Sequence, residues 1–319
     1  MLLDLKPHEL RNYNGISPCP KDIDEFWDSS IAEMKAIDPD ISLKKVYDYP
    51  NPECFELYFT GVDGARVFAK YARPKNITKP ADALLLFHGY SGKSSDWHWL
   101  LSWVGQGLCV AALDCRGQAG KSEDVGGVKG NTLHGQIIRG LVSKDPKKLL
   151  FRSIFLDTAE LAQIVMGFDE VNENRVSAYG GSQGGGLTLA CASLEPRIYK
   201  AASCYPFLSD YRRVWEMDMA ERAYSELKEY FRSFDPRHER EDEIFEMLGY
   251  IDIQNITKRI KAEVKMFTGL MDNVCPPSTQ FAAYNKITSP KDVIFYPDFG
   301  HEGLPDVDDN VTRWLLDIE

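Results

Sequence analysis

The chain has 319 residues, 44% of them apolar and 27% charged, with a formal net charge of −11. That composition belongs to a globular chain long enough to bury its own core. The acidity excludes a nucleic-acid binder, which needs a basic face for phosphates, and argues equally against docking on an anionic membrane.

In chain order, the N-terminal stretch MLLDLKPHELRNYNG has no apolar core of signal-peptide length, because Asp4 interrupts it. No stretch approaches the length of a membrane-spanning helix. Together with seven cysteines that are odd in number, scattered and without a C-x-x-C pair, this predicts a reducing, cytoplasmic setting with neither a disulfide framework nor a zinc site. Residues 1–35 read as an N-terminal arm. Within it, Pro20 and a run of acidic residues open a helix, with Phe26, Trp27 and Ile31 on one face. CFELYFTGVDGARVFAKYARP alternates on both sides of Val62-Asp63-Gly64, which predicts two strands joined in a hairpin.

Five continuous apolar runs follow: Ala83–Tyr90, Leu108–Gly117, Arg175–Ser182, Val264–Asp272 and Asp292–Glu302. Strands that are apolar throughout are buried on both faces. Helical patterns separate several of them, among them DWHWLLSWVGQG, FLDTAELAQIVMGF and GGLTLACASL. This alternation predicts an α/β fold with a mostly parallel central sheet flanked by helices. Residues 208–258 break the rhythm. They are helical and heavily charged, and read as an insertion that caps a site or forms a subunit interface. No linker divides the chain, so 1–319 is expected to be one domain.

The densest glycine cluster is AYGGSQGGGL, Ala178–Leu187. It is not a Walker loop, because no lysine follows it, and its glycines do not match the spacing of the dinucleotide fingerprint. It is not a linker, because an apolar strand precedes it and an apolar helix follows. What remains is G-x-S-x-G between strand and helix, the nucleophile elbow, with Ser182 as nucleophile and the N-terminus of the following helix aimed at developing negative charge.

A serine needs a base, and the base needs an orienting acid. On such a fold the chain order is serine, acid, histidine. After Ser182 only His238 and His301 remain. His238 lies in the charged insertion and reads as a surface residue, whereas His301 follows the last strand. Asp272, at the end of the fourth run, is the expected acid. Asp298 is the rival, but it is expected to lie on the strand too close to His301 for its side chain to reach the ring. The oxyanion donors are expected to be the amides of Gln183 and, after the first buried strand, Tyr90. His88 reads as a residue that shapes the Tyr90 loop, and Cys275 as a packing residue rather than a nucleophile.

Arg116-Gly117-Gln118, Gly180-Gly181-Ser182-Gln183-Gly184 and His301-Glu302, with DIDEFW and HGYSG, together resemble carbohydrate esterase family seven, the acetyl xylan esterases and cephalosporin C deacetylases. The resemblance runs over essentially the whole chain. It implies an α/β-hydrolase fold and a serine esterase that removes acetyl groups from sugars and small acetate esters through an acetyl-enzyme. It places the triad on Ser182, Asp272 and His301 and the oxyanion donors on Tyr90 and Gln183, without metal or organic cofactor. It implies a small acetylated carbohydrate as partner and a homo-oligomer, commonly a hexamer around an internal cavity. Arg116, Gly117 and Gln118 match the signature, and spacing alone gives them no chemical role beyond holding loops near the elbow. The competing readings are a peptidase, a short-chain lipid esterase on the same fold, or a binding protein without catalysis. The first lacks the expected propeller domain, the second a large apolar lid. The third would lack a triad member, and none is missing.

Overall fold

Four of the five apolar runs become inner strands of one twisted sheet, and the fifth, Asp292–Glu302, becomes its edge strand. In the computed structural model, which describes residues 3–126 and 136–318, the strands in chain order are β1 (Ser42–Asp48), β2 (Pro52–Thr60), β3 (Arg66–Pro74), β4 (Ala81–Phe87), β5 (Cys109–Leu113), β6 (Val171–Gly181), β7 (Lys200–Cys204), β8 (Glu263–Gly269) and β9 (Lys291–Tyr296). Among the described residues these nine strands form one sheet in the order β1-β2-β3-β5-β4-β6-β7-β8-β9. β1, β2, β3 and β5 pair antiparallel, and the pairs from β5 through β9 are parallel. The β2–β3 hairpin turns at Val62–Gly64, where Asp63 and Gly64 both take positive φ.

The helices are α1 (Pro7–Leu10), α2 (Ile23–Lys35), α3 (Trp97–Val104), α4 (Leu150–Met166), α5 (Gln183–Leu194), α6 (Tyr211–Glu216), α7 (Ser225–Phe234), α8 (Glu241–Leu248), α9 (Pro277–Tyr284) and α10 (Val307–Leu315). The central strands are apolar throughout because both faces are covered. On β4, Leu85 and Phe87 join the cluster built with α4 and α5, while Leu84 and Leu86 join the one built with α3 and α10. This is the layered architecture of an α/β-hydrolase. No described helix is long and apolar enough to cross a membrane.

Two strands carry no sequence signal. β1 is an edge strand with almost every side chain exposed, so nothing imposes alternation on it. β7, KAASC, is buried throughout but short and made of small residues of weak strand preference. Its neighbours, not its own sequence, hold it in place.

The insertion contains α6, α7 and α8 and is tied to the rest of the chain by buried carboxylates. Glu226 of α7 accepts the amides of Gln136, Ile137 and Ile138 at 2.6, 2.7 and 3.3 Å. Asp210 accepts the amides of Ile16 and Ser17, at 3.1 and 2.8 Å, and the Tyr13 hydroxyl at 2.7 Å. The arm is therefore stitched to the insertion.

A deeply buried ion pair lies just beyond β5, with both partners almost fully shielded. Arg116 reaches Asp157 of α4 with Nε and Nη2, both at 2.6 Å, and donates from Nη1 to the Val62 carbonyl at 2.9 Å. Two parallel bonds in a dry setting are the strong geometry for such a pair. Glu160, one turn along α4, has a carboxyl pushed up to about 8, first by burial and then by the Asp157 charge. Because the folded value lies above the ordinary 4.5, the fold favours the neutral acid. Its contribution to stability is complete below 4.5 and is lost as pH rises through 8. Glu160→Gln removes that loss. The stability of the variant relative to the parent is expected to rise between about pH 5 and about pH 9, read as the difference in urea midpoints; a pH-independent difference would refute the assignment.

Candidate active site

β6 turns into α5 at Ser182, whose backbone sits at φ 57°, ψ −120°. A non-glycine residue in such a region costs about 1–3 kcal/mol and persists only where its surroundings over-determine it. They do so here. The Ser182 amide donates to the Cys204 carbonyl at 3.0 Å, and its carbonyl accepts from Gly186 and Phe207, each at 3.0 Å. A Cβ on Gly184 would stand 2.0 Å from the Phe87 carbonyl oxygen, and one on Gly180 would stand 2.5 Å from the Gly184 carbonyl carbon. Gly185 and Gly186 meet the Cys204 and Phe207 carbonyl oxygens in the same way, at 2.6 and 2.3 Å. The obstacle is backbone each time, so only glycine fits, and the start of α5 is pressed into the sheet. Its first-turn N–H groups have no intrahelical acceptors and surround the serine with partial positive charge.

The structure brings Ser182, His301 and Asp272 together. His301 Nε2 lies 2.9 Å from Ser182 Oγ, and Nδ1 lies 2.8 Å from Asp272 Oδ2. A carboxylate only accepts, so Nδ1 carries the proton and Nε2 is the free base facing the serine hydroxyl. Asp272 is fully buried, and its other oxygen accepts the amides of Val274 and Cys275, both at 2.8 Å. That turn fixes the carboxylate before the imidazole meets it.

Asp298 differs from the sequence expectation. β9 ends at Tyr296, so Asp298 lies in an exposed turn beyond the strand. The ring nitrogen it would need is already taken by Asp272. His238 is exposed and pairs with Glu241 at 3.2 Å, as expected of a surface residue.

His88 shapes its loop. Cys115 donates its amide to Nε2 at 3.0 Å, which leaves Nδ1–H to reach the Gly89 carbonyl at 2.8 Å. Burial lowers the proton affinity of this imidazole, in keeping with a neutral ring. Tyr90 follows, its ring edge-on to Phe207 at 5.3 Å. Gln183 opens α5, and its side-chain Nε2 lies 3.4 Å from the His88 carbonyl, so the two expected oxyanion-donor segments are tied to each other.

Gln118 acquires a contact that spacing could not supply. Its amide pairs reciprocally with that of Gln183, at 2.7 and 3.1 Å. Gly117, between it and Arg116, takes φ 65°, which lets Arg116 turn inward to Asp157 while Gln118 turns to the elbow. Asp157 was missed in the sequence, although there was a signal for it: an acid on a helix buried on nearly every side has either to find a cation, as Asp157 does, or to stay neutral, as Glu160 does. Tyr205 was missed as well. Its ring centroid is 4.8 Å from that of His301, and it follows β7, the strand the sequence does not reveal.

The donor atoms of Asp272, Cys275 and His301 lie within 4.8 Å of one another. Their chemistry does not favour a metal. The carboxylate and Nδ1 already satisfy each other, and burial, followed by the Asp272 charge, pushes the Cys275 thiol well up. The same shift keeps Cys275 a neutral packing residue.

The sequence matches the acetyl xylan esterase (AXE1) family over residues 1–318. The crystal structure of acetyl xylan esterase 1 from Thermoanaerobacterium sp. JW/SL YS485 is 55% identical, with a TM-score of 0.97 over 99% of both chains. The acetyl xylan esterase from Paenibacillus sp. R4 is 34% identical, with a TM-score of 0.93 over 99% of this chain and 100% of that one. A curated relative, the acetyl esterase Axe7A of Xylanibacter ruminicola, is 24% identical over 306 residues, 93% of this chain. The chain spans 66% of the length of that relative.

Gln118→Ala removes the brace on Gln183 and touches none of the three relay residues. Displacement of the elbow amide is expected to lower kcat on p-nitrophenyl acetate roughly tenfold to a hundredfold, with little change in KM. An unchanged kcat would show that the pair does not position the elbow.

Proposed function

The chain belongs to the acetyl xylan esterase family, and from that premise we propose that it is a serine esterase in which Ser182, His301 and Asp272 carry the reaction. It is a carboxylic-ester hydrolase that removes acetyl groups from acetylated xylo-oligosaccharides. The observation that carries the site assignment is the unbroken relay from Ser182 Oγ through both nitrogens of His301 to the buried Asp272.

The mechanism follows from that geometry. Ser182 attacks the acetyl carbonyl while His301 Nε2 takes its proton. The imidazolium that forms is stabilised by Asp272, which cannot relax away because two amides hold its other oxygen. The negative charge of the tetrahedral intermediate falls to the amides of Gln183 and Tyr90, each such donor in comparable enzymes contributing about a hundredfold or more. His301 returns its proton to the departing sugar hydroxyl. Water, deprotonated by the same imidazole, then cleaves the acetyl-enzyme.

Hydrolysis of other small acetate esters, cephalosporin C among them, and assembly into a hexamer rest on the signature formed by Arg116-Gly117-Gln118, Gly180–Gly184 and His301-Glu302. A cytoplasmic setting rests on seven free cysteines, six of them buried. The insertion at 208–258 serves as a cap or a subunit interface.

Ser182→Ala is expected to lower acetate release from acetylated xylo-oligosaccharides and from p-nitrophenyl acetate by at least roughly ten-thousandfold, with the fold intact by circular dichroism. Residual turnover near the parent level would sink the nucleophile assignment. In light scattering the chain is expected as a hexamer, and a clean monomer would defeat that part of the reading.

A further inference from the structure

The strand order reverses at β4. The chain leaves β4 through α3 to reach β5 on one side, then crosses through α4 to β6 on the other. Such a reversal leaves a crevice at the carboxyl ends of the two diverging strands, where α/β sheets hold ligands. Here it opens into a cavity of about 450 Å³, lined in part by Gly180, Gly181, Tyr205, Leu304, Trp99 and Asp309. That volume falls within the span of small-molecule sites, about 300–1,000 Å³. The relay uses none of this space, yet the two regions share walls. Gly181 immediately precedes Ser182, and Tyr205 has its ring beside that of His301.

The lining has a definite chemistry. Trp99 is half-buried, and its ring meets that of Trp103 edge-on at 6.1 Å and 84°. Trp103 meets Tyr179 edge-on at 5.8 Å. The indole is thus fixed from behind. Leu304 adds apolar surface. On the rim, Asp306, Asp308 and Asp309 are all exposed, and Asp308 is engaged by the Tyr179 hydroxyl at 2.6 Å. Carboxylates there repel anionic groups and accept hydrogen bonds from hydroxyls. A flat apolar platform with hydroxyl acceptors at its edge fits a neutral pyranose ring, which presents C–H bonds on its face and hydroxyls around its rim.

We infer that this cavity is a sugar subsite of the esterase, holding a pyranose unit of the xylo-oligosaccharide adjacent to the one whose acetyl group meets Ser182, with Trp99 as its stacking platform. The inference rests on the esterase reading above for its substrate class. It assigns Trp99 and Asp309 to substrate selection, so they favour an oligosaccharide ester over a sugar-free one.

Two measurements on the intact protein test it separately from that reading. The first compares kcat/KM for acetylated xylotetraose with that for p-nitrophenyl acetate. Trp99→Ala is expected to lower this ratio about fivefold to tenfold, chiefly through KM for the oligosaccharide. Asp309→Asn, a near-isosteric surface change, should lower it in the same direction. The second is calorimetric titration with unacetylated xylotetraose, which is expected to bind the parent and to bind Trp99→Ala about fivefold to tenfold more weakly. If both variants keep the parent ratio, or the parent does not bind xylotetraose, the subsite is overturned while the esterase reading stands. If the parent binds xylotetraose through Trp99 but releases no acetate from its acetylated form, the substrate reading fails and the subsite remains. Should Trp99→Ala prove unfolded, Trp99→Phe, which retains a smaller platform, is expected to lower the ratio about twofold to threefold, and an unchanged ratio for it and for Asp309→Asn would overturn the subsite.

Discussion

The rest of the structure depends on one close approach of backbone to backbone. The first turn of α5 lies against the carbonyls of Phe87, Cys204 and Phe207 at once, the ends of β4 and β7 and the segment just beyond, with no room for a Cβ at Gly184, Gly185 or Gly186. Interiors are packed densely enough that such contacts cannot be relieved by small shifts. A helix seated this deep forces the preceding residue into the conformation Ser182 adopts, at φ 57°, and its hydroxyl out of the sheet toward His301. The strain at Ser182 is thus a consequence of packing spread over three segments, and the first-turn amides arrive at the site by the same constraint.

Around that contact the loops at the carboxyl ends of the strands are braced in pairs. Gln118 and Gln183 exchange amide hydrogen bonds, and Arg116, two residues before Gln118, is anchored in Asp157 of α4. A buried pair of this kind is weak evidence for stability, because desolvation offsets much of the attraction. Its geometry accounts better for its presence. It fixes where the segment after β5 leaves the sheet, and therefore where Gln118 can reach. His88 does the same between β4 and β5 through its two ring nitrogens. The relay is braced likewise, with Asp272 held by two amides of its own turn. The side chains that would react are each positioned by groups that would not.

The arm and the insertion belong to this design at greater distance. Asp210 joins them to each other, and Glu226 gathers three consecutive amides of the segment that precedes α4. Gln136, first of those three, also reaches the Gly117 carbonyl at 3.3 Å. The charged helices that looked foreign to the sheet-and-helix rhythm thus end in contact with the turn between Arg116 and Gln118.

What the sequence determined by itself was local or ordered. The glycines around Ser182, the strand before it and the helix after it lie within one short stretch, so their meaning survives without knowledge of neighbours. The order of Ser182, Asp272 and His301 selects the relay because only two histidines follow the serine, and Asp272 closes the apolar run that precedes the last of them. Continuous apolar runs announced β4, β5, β6 and β8 because strands buried on both faces must be apolar on both, and a fifth run announced β9, which the structure places at the sheet edge with only Val293 fully buried. Only the tertiary structure decided the rest. β7 has no pattern of its own, and with it Tyr205 was hidden. Arg116 and Asp157 stand 41 positions apart, and Gln118 and Gln183 stand 65 apart, so their pairing exists only because the sheet order sets β5 next to β4 and β4 next to β6. The cavity beside Trp99 arises at that same reversal. A crevice between diverging strands belongs to the arrangement of several segments, and no single stretch of residues encodes it.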